Sequence, residues 1–530
     1  MRSKKVLSIF LVLSLLLMSI CLGINAEITD EHVLKIALPG EIPTLNPDFS
    51  RYPISNMVLL NIYEQWFQYG TRDIPGEDYT RSDINKIEGA AIKTWEISDD
   101  RMSVTLNVRQ GVIFPNTGSE MTADDIMYWL DKGPETKSGN LWNEDMASME
   151  SWEKTGPYQV KIHFKYPVQP MFWMLGRDQC WGVVDYEAVK DHFTKDNPWG
   201  SKWLNRNYAG NGEYYIESWE PGVEIVLRAH TEGYWREKPY FEKVILKVVT
   251  SSPTRALLLQ SGAVDIAMAL GQEEYDNLRN APGIKVLTVP SRTKNTLVLN
   301  HSMFPFNIKK LRQAVSYLVP YDEIVEGIFK GRAQRMYSLC PQLSPWENGE
   351  YWDYEFNVEK AKKLMAEAGY PDGFEFTVNI RTGDKNARKL AIFLKEAFKQ
   401  AGVDMKIREV TPSIFAEEEG LGTVPATMET GFLQYIDDPY YSMRGYKTGS
   451  ATNRHHYSNP RIDELYEKLR NTFGEERKKL SDEFQKIVVD DAVDLELACT
   501  PLEYAMRDDI KGFKVLEDSL IWIYPLYRSK

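Results

Sequence analysis

Short segments that mix apolar and polar residues recur along the first 300 residues of the chain and predict β-strands. The segment Lys243-Val-Ile-Leu-Lys-Val-Val249 is an example, in which lysines interrupt an apolar run. Such a pattern is typical of a sheet that has one face covered by the core and the other in water. It predicts strands at residues 33–38, 103–109, 159–165, 224–230, 243–249, 284–290 and 296–301.

Helices are predicted mainly between residues 305 and 495, where helix ends can be read from the sequence. Asn357 can cap a helix that stops at Gly369, because asparagine accepts hydrogen bonds from free helix amides and glycine suits the left-handed end. Asn459 with Pro460 opens another helix toward Phe473. The tail after residue 495 returns to strand-like sequence, so a helix-rich lobe is predicted to be inserted within a strand-rich one.

The first 26 residues have the pattern of a secretory signal peptide. Arg2, Lys4 and Lys5 precede an apolar run over residues 6–20, and Ala26 is a small residue suited to cleavage. The run is too short to span a membrane as a stable helix. The alternative is a lipid anchor on Cys21, which directly follows the run. Either reading places the protein outside the cytoplasmic membrane, in the periplasm or at the cell surface.

Composition and charge exclude several classes of protein. The 530 residues carry 63 basic and 76 acidic side chains, a formal net charge of −13 that disfavours nucleic acid as a partner. Beyond Cys21, the cysteines are Cys180, Cys340 and Cys499, too few and too widely spaced for a disulfide scaffold or a local zinc site. Buried thiols are the favoured reading, with at most one bridge.

The sequence lacks the enzyme motifs that can be tested directly: HExxH, GxSxG, the Walker phosphate loop and a full GxGxxG. Gly210-Asn-Gly212 is a lone pair of glycines that favours a turn. His455 and His456 are adjacent, and neighbouring residues on a strand point to opposite faces, so they are poorly placed to chelate one metal. No cofactor, no metal and no catalytic residue is predicted, although a secreted hydrolase with a carboxylate pair stays open as an alternative.

Several stretches together resemble the family 5 extracytoplasmic solute-binding proteins of ABC importers, which include oligopeptide-, dipeptide-, nickel- and cellobiose-type binders. The most specific signature is Val104-Thr-Leu-Asn-Val-Arg-Gln-Gly-Val-Ile-Phe114 followed by Met121-Thr-Ala-Asp-Asp-Ile126. The other stretches keep the family order over nearly the whole mature chain, at residues 38–47, 61–64, 94–100, 212–216, 233–235, 239–240, 259–266, 306–314, 366–374 and 457–460.

The resemblance implies an α/β protein with a two-lobed periplasmic-binding-protein type II fold and an extra third subdomain. The lobes would close like a hinge around the solute, with crossing segments near residues 297–300 and 497–500. The implied domains are a signal peptide at 1–26, a discontinuous first lobe at 27–70, 206–298 and 499–530, an extra subdomain at 71–205 and a second lobe at 299–498.

The cargo is suggested by the place where the sequence departs from the family. Peptide-binding members carry a segment written roughly Trp-x-Ala-Asp-Tyr-x-Asp-Pro, whose first Asp grips the peptide amino group. The matching segment here is Phe432-Leu-Gln-Tyr-Ile-Asp-Asp-Pro439, so Tyr435 takes the gripping position. A second acidic contact would fall near Arg51. Both anchors for a free peptide amine are therefore absent, and burying an ammonium without a counter-charge is costly.

The ligand-binding residues predicted from this segment are Tyr435, Phe432, Gln434, Asp437 and Arg51. They suggest a cleft that stacks and hydrogen-bonds, suited to a sugar ring, a capped peptide or an aromatic solute. Asp437 would restore an acid if the loop is shifted, Phe432 could instead pack in the core, and Asp438 is expected to form the turn before the proline.

The sequence thus predicts a monomeric capture protein that binds an oligopeptide or oligosaccharide and delivers it to ABC permease subunits without chemistry. A receptor-side sensor of the same fold is a further alternative.

Overall fold

The computed structural model describes residues 29–48, 53–136, 148–167, 182–434, 438–516 and 519–529. The predicted signal peptide, Cys21, Cys180 and three of the predicted ligand-binding residues, Arg51, Tyr435 and Asp437, lie outside these ranges.

The strands of the described residues are numbered here in chain order. They are β1 Val33–Leu38, β2 Phe67–Asp73, β3 Thr80–Gly89, β4 Ile92–Ile97, β5 Ser103–Val108, β6 Met149–Gly156, β7 Gln159–Phe164, β8 Tyr214–Glu220, β9 Glu224–Ala229, β10 Lys243–Val248, β11 Ile266–Ala267, β12 Ile284–Leu299, β13 Gln334–Arg335, β14 Glu375–Arg381, β15 Asp404–Val410, β16 Ala426–Leu433, β17 Asp494–Arg507, β18 Ile510–Lys511, β19 Lys514–Val515 and β20 Tyr527–Arg528.

The α-helices are numbered in the same way. They are α1 Pro53–Ile62, α2 Ala123–Thr136, α3 Tyr186–Val189, α4 Ser201–Leu204, α5 Ser252–Gln260, α6 Gln272–Leu278, α7 Lys309–Ser316, α8 Tyr321–Glu323, α9 Val358–Glu367, α10 Lys385–Lys399, α11 Pro412–Leu421, α12 Pro439–Met443, α13 Pro460–Arg470 and α14 Gly474–Asp490.

A large mixed sheet runs through both lobes. Its strand order is β15-β14-β16-β12-β17-β11-β1-β10-β9-β8, with the short β13 also paired to β17. The long strands β12 and β17 are antiparallel neighbours, and they are paired from Ile284 with Arg507 at one end to Val298 with Asp494 at the other. These two strands are the physical connection between the lobes. A smaller sheet of four strands, β4-β5-β7-β6, forms the extra subdomain together with α2.

Three hydrophobic cores correspond to these parts. The first-lobe core packs β1, β9 and β10 against α1 and includes Leu287 and Tyr504 of the long strands. The second-lobe core packs α10 and β14 against Leu297 and Leu497. The extra subdomain has its own core around Leu106, with Trp66 at its edge. A separate cluster lies under α12, α13 and α14 in the second lobe.

We propose that the crossing lies closer to the first lobe than the family resemblance implies. Pairing of β12 with β17 is interrupted between Val289 and Thr293, and core residues of the first lobe stop at Val289. Because Leu297 and Leu497 already belong to the second core, we propose that the chain crosses at residues 290–293 and 500–502. The predicted domain boundaries otherwise stay a prediction.

The predicted strands and helix caps are confirmed, with two differences. The segments at 284–290 and 296–301 form the single strand β12, because a register shift lets the strand continue past Pro290. The helix opened by Asn459 ends at Arg470 rather than near Phe473, which is instead the residue before α14. The cap at Asn357 accepts from the Lys360 amide, as predicted.

Three of the family-like stretches, at 61–64, 212–216 and 233–235, meet in a buried ion cluster of the first lobe. Glu64 accepts hydrogen bonds from the hydroxyl of Tyr234 at 2.5 Å and the indole of Trp235 at 2.7 Å. Arg236 lies 3.6 Å from Glu64 and 3.3 Å from Glu213. Burial raises the pKa of Glu213 to about 7, although Arg236 opposes the rise. The adjoining cavity of about 20 Å³ has room for about one water, so these stretches serve packing.

Candidate ligand-binding cleft

The parallel strands of the two lobes point their carboxyl ends at each other across the crossing. In the first lobe, β11 is parallel to β1 and antiparallel to β17, so its end at Ala267 lies on the side of the crossing. In the second lobe, β16 pairs Leu433 with Thr293 at the crossing, and β14 runs parallel to β16. Ligands of such sheets bind outside the carboxyl ends of the strands. This geometry defines a cleft between the lobes.

Buried polar side chains form hydrogen bonds at the crossing itself. The hydroxyl of Ser291 donates to the Thr500 carbonyl at 2.7 Å, and the Asn295 amide donates to the Ala498 carbonyl at 3.1 Å. Arg292 is buried and donates to the Gln434 carbonyl at 3.2 Å. Gln434, the residue that follows β16, is therefore tied directly to β12.

The two predicted site residues that the structure describes differ in their surroundings. Phe432 is 42 % exposed at the carboxyl end of β16, so the alternative that it packs in the core is wrong. Gln434 is 3 % exposed, and its side-chain amide donates to the Ser442 hydroxyl at 2.5 Å. The Gln434 side chain therefore holds α12 against β16 and has a structural role.

Asp438 has the structural role that the sequence suggests. Its carboxylate accepts from the Tyr440 amide at 2.8 Å and caps α12. The same carboxylate lies 2.6 Å from the guanidinium of Arg477, and both side chains are buried. This ion pair fixes the chain directly after the predicted ligand-contacting segment 435–437.

Sequence reasoning missed a pair of arginines at this edge of the second lobe. Arg381, the last residue of β14, makes two hydrogen bonds of 2.8 and 2.7 Å to the carboxylate of Glu429. Arg454 lies 2.8 Å from the same carboxylate and 5.4 Å from the ring centre of Phe432. Arg454 is 38 % exposed, so its guanidinium is accessible beside an exposed ring. The sequence signal that could have identified Arg381 was an arginine at the end of a strand.

Glu419, a residue of α11, lies next to Arg454 of the arginine pair. It accepts from the Thr427 hydroxyl at 2.8 Å, and Arg454 lies 3.5 Å away. Burial raises the pKa of Glu419 to about 7, with a further rise from the neighbouring Glu429 carboxylate. Glu419 therefore holds a proton in the folded protein at pH values where it would be ionised in the unfolded chain.

A pH dependence of stability follows from this proton. Because the folded pKa is raised above the usual 4.5, the contribution of Glu419 is full below about pH 4.5 and is lost as pH rises through about 7. We expect Glu419→Gln to remove about 1–3 kcal/mol of this loss. Urea unfolding of both proteins from pH 4.5 to 8 measures it. The exposed Glu417→Gln on the same helix is the control, and a pH-independent difference for Glu419→Gln would contradict the prediction.

The described residues contain no group of three or more His, Cys, Asp or Glu side chains placed to hold a metal ion. His455 bonds the Asp494 carboxylate at 2.9 Å, whereas His456 bonds the Glu419 carbonyl at 2.9 Å. In this part of the chain the two histidines thus have separate structural partners.

The two lobes, the two-strand crossing and the facing strand ends define a bilobal solute-binding protein. The chain belongs to the bacterial extracellular solute-binding proteins, family 5, whose middle region matches residues 86–453. The resemblance read from the sequence is thereby confirmed, as is the prediction of a binding protein rather than a hydrolase. No helix of the described residues is long and apolar enough to cross a membrane.

The chain is similar to several bacterial proteins over most of its length. It is 25% identical over 489 residues to the probable D,D-dipeptide-binding periplasmic protein DdpA of Escherichia coli K12, covering 91% of each chain. It is 24% identical over 500 residues to the glutathione-binding protein GsiB of Salmonella typhimurium, covering 91% of this chain and 92% of the relative.

Among solved structures, the fold resembles the periplasmic binding protein DppA of Helicobacter pylori in complex with the peptide STSA. The TM-score is 0.79 at 23% identity, with 94% of this chain and 98% of that chain covered. The type II two-lobed fold is thus confirmed.

Proposed function

We propose that the chain is the extracytoplasmic receptor of an ABC importer and captures a peptide-sized solute between its lobes for delivery to the permease. The observation that carries the cargo proposal is the arginine pair, Arg381 and Arg454, beside the exposed ring of Phe432. Both guanidinium groups share the Glu429 carboxylate, and the second carboxylate beside Arg454, that of Glu419, has its pKa raised to about 7. When Glu419 is protonated, the pair keeps positive charge to meet an anionic end of a ligand.

A short peptide with a free carboxylate and a capped amino end fits these features best. Its carboxylate would meet Arg454, and a ring or apolar side chain would stack on Phe432. Tyr435 replaces the acid that would hold a free amine, which disfavours an ordinary peptide terminus. The relatives named for D,D-dipeptide, glutathione and a bound tetrapeptide support a peptide-like cargo.

A short oligosaccharide is the second candidate, because sugar rings stack on exposed aromatic faces such as Phe432. We keep three further proposals from the sequence. The protein is a monomer, Tyr435, Asp437 and Arg51 contact the ligand, and the lobes close by a hinge around the solute. Delivery to a permease distinguishes this proposal from a sensor of the same fold, which would bind the same cargo.

The cargo is tested by calorimetry with matched ligands. The panel holds tri- and tetrapeptides with free or acetylated amines and with free or amidated carboxylates, and short oligosaccharides. We expect acetylated peptides with free carboxylates to bind most tightly. Arg454→Met should weaken them about 10- to 100-fold and leave the amidated forms nearly unchanged, since only a carboxylate gains from the guanidinium.

Two further variants separate the parts of this proposal. Tyr435→Ala should weaken the preferred ligand by roughly 1–3 kcal/mol, whereas Tyr435→Asp should improve retention of free-amine peptides. Arg408→Met is the control for charge alone. Arg408 lies on β15 and pairs with Glu418 of α11. Tight binding of unmodified peptides by the unaltered protein, with an amine held by Asp437, would refute the cargo proposal.

The mature amino terminus gives another test. We expect cleavage after Ala26, because residues 24–26 end in a small residue and Ile20 before Cys21 fits a lipidation site poorly. The intact mass of protein purified from its native host measures the terminus. A mass corresponding to a diacylglyceryl-modified Cys21 would show that the protein is anchored instead.

A further inference from the structure

A basic surface lies at the edge of the second lobe. Residues 385–408 carry seven basic and two acidic side chains, a net charge of +5, whereas the whole chain carries −13. These residues form α10, the turn after it and most of β15, which is the outermost strand of the large sheet. The rest of the chain carries −18, so positive charge is concentrated in one small part of an acidic protein.

One face of α10 is buried in the second-lobe core. Asp384 caps the helix by accepting a hydrogen bond from the Ala387 amide at 2.9 Å. Apolar residues then follow at helical spacing and pack in the core beside the sheet. The buried side chains are Ala387, Leu390, Ala391, Leu394, Ala397 and Phe398. The helix is thereby fixed to the lobe, and its opposite face is available to a partner.

The opposite face of α10 is exposed and mostly basic. Because successive residues of a helix are about 100° apart, its members fall within about a third of the helix circumference. We call it the basic face of α10, and it consists of Lys385, Arg388, Lys389, Ile392, Glu396 and Lys399. Ile392 is 51 % exposed and lies in the middle of this face. An apolar side chain is therefore held in water among four cations.

Most of the positive charge on the basic face has no acidic partner. Arg388 pairs with Glu409 of β15. The nearby acid Asp404 pairs with Lys406 at 2.5 Å. Among the residues that the structure describes, the cations of this face that form no ion pair are Lys385, Lys389 and Lys399. Three ammonium groups on one side of a fixed helix are thus left to meet an external anionic surface.

These features are typical of a helix that lies on a membrane surface. Long lysine side chains keep their ammonium groups among lipid phosphates while an apolar side chain between them enters the boundary of the acyl chains. Each lysine close to an anionic lipid surface strengthens binding by about fivefold. The acidic remainder of the chain is repelled by the same surface, so the basic face determines which side of the protein approaches it.

We propose that the basic face of α10 is a docking surface for anionic phospholipid headgroups. The membrane is met from outside, because the chain belongs to a family of bacterial extracellular proteins. Lys385, Lys389 and Lys399 meet the lipid phosphates, and Ile392 enters the interface between them. The docking does not depend on the cargo, since no residue of this face is a proposed ligand contact.

Co-sedimentation with vesicles tests the docking without any solute. The mature chain from Glu27 onward is mixed with vesicles of phosphatidylcholine alone, or of phosphatidylcholine and phosphatidylglycerol in equal parts. We expect binding to the anionic vesicles at low salt and little binding to the neutral ones. Raising NaCl from about 0.05 M to about 0.5 M should release most of the protein, because salt screens the attraction between charges.

Variants of the basic face identify the surface. Lys389→Gln with Lys399→Gln should lower the partition coefficient on anionic vesicles by roughly 10- to 25-fold, because two of the three free ammonium groups are lost. Ile392→Ser should lower it about three- to tenfold, because the exposed half of this side chain no longer gains from burial in the interface.

The control variant makes the same change of charge on another surface. Lys478→Gln with Lys479→Gln removes two lysines of α14, which pair with Asp482 and Glu476. We expect this variant to bind anionic vesicles nearly as tightly as the unaltered protein. Urea unfolding of every variant checks that the fold is kept.

Binding to anionic vesicles that is no stronger than binding to neutral ones would overturn the proposal. An equal loss in the α10 variant and the α14 control would overturn it as well, since net charge alone would then explain the binding. A partition coefficient unchanged by Ile392→Ser would overturn the placement of this side chain in the interface. Failure of every peptide and oligosaccharide in calorimetry would overturn the cargo and leave the vesicle result standing.

Discussion

Arg477→Met should lower the free energy of unfolding of the second lobe by about 3–5 kcal/mol at pH 7. Arg477 and Asp438 are both buried, and their side chains lie 2.6 Å apart. Removing the guanidinium leaves the Asp438 carboxylate buried without its counter-charge, which costs more than the pair contributes. Arg477 also donates to the Leu469 carbonyl and, at 2.9 Å, to the Thr472 carbonyl, so two backbone acceptors lose this donor as well.

Urea unfolding followed by tryptophan fluorescence measures this loss. The control is Arg461→Met on α13, where the arginine pairs with half-exposed glutamates and little change is expected. A decrease of less than about 1 kcal/mol for Arg477→Met would mean that water or a shifted α12 compensates Asp438. The same variant should also weaken ligand binding, because Asp438 caps the helix that follows segment 435–437.

Lys294→Met should lower the free energy of unfolding by about 3–5 kcal/mol at pH 8 and by only about 1–2 kcal/mol at pH 5. Lys294 of β12 pairs with Glu496 of β17, and Glu496 also accepts from the Thr296 hydroxyl at 2.6 Å. Burial raises the pKa of Glu496 to about 7 even though the Lys294 ammonium opposes the rise. Without the ammonium, this pKa is expected to rise further.

The pH dependence has a definite sign. A carboxyl whose folded pKa lies above its usual 4.5 contributes stability below about pH 4.5, and that contribution is lost as pH rises through the folded pKa. The variant therefore loses most at high pH. Lys285→Met on the same strand is the control, because Lys285 pairs with the half-exposed Asp78 at 2.7 Å and should cost less than about 1 kcal/mol. An equal loss at both pH values would contradict the prediction.

Local sequence signals determined much of the fold. The caps at Asn357 and Asn459 and the strand pattern at 243–249 were correct because each depends on hydrogen bonds or burial within a few residues. Gly210 and Gly212 were read as a turn. In the structure, a Cβ on either glycine would come within 2.5 Å of the backbone of Ile62, so both are needed for close packing against the end of α1.

The candidate site was predicted less completely, because it depends on residues distant in the chain. The exposed Phe432 and the cap at Asp438 came from one continuous segment. Glu429 pairs with both Arg381 and Arg454. These residues come from β16, β14 and the loop before α13, and no local sequence pattern predicts that they lie together. Arg477 was missed for the same reason, since it lies 39 residues beyond Asp438.

The position of β17 has a consequence for how the chain folds. The first lobe cannot complete its sheet until residues 494–507 arrive, because β11 and β12 both pair with β17. The pairing of Thr80 in β3 with Lys514 in β19 likewise forms only after residue 514 has been made. The strands β14, β15 and β16 of the second lobe, by contrast, pair with one another and with β12, so they can pair before β17 is made. We therefore expect the inserted half to fold first during export, while the earlier half stays open to chaperones and proteases for longer.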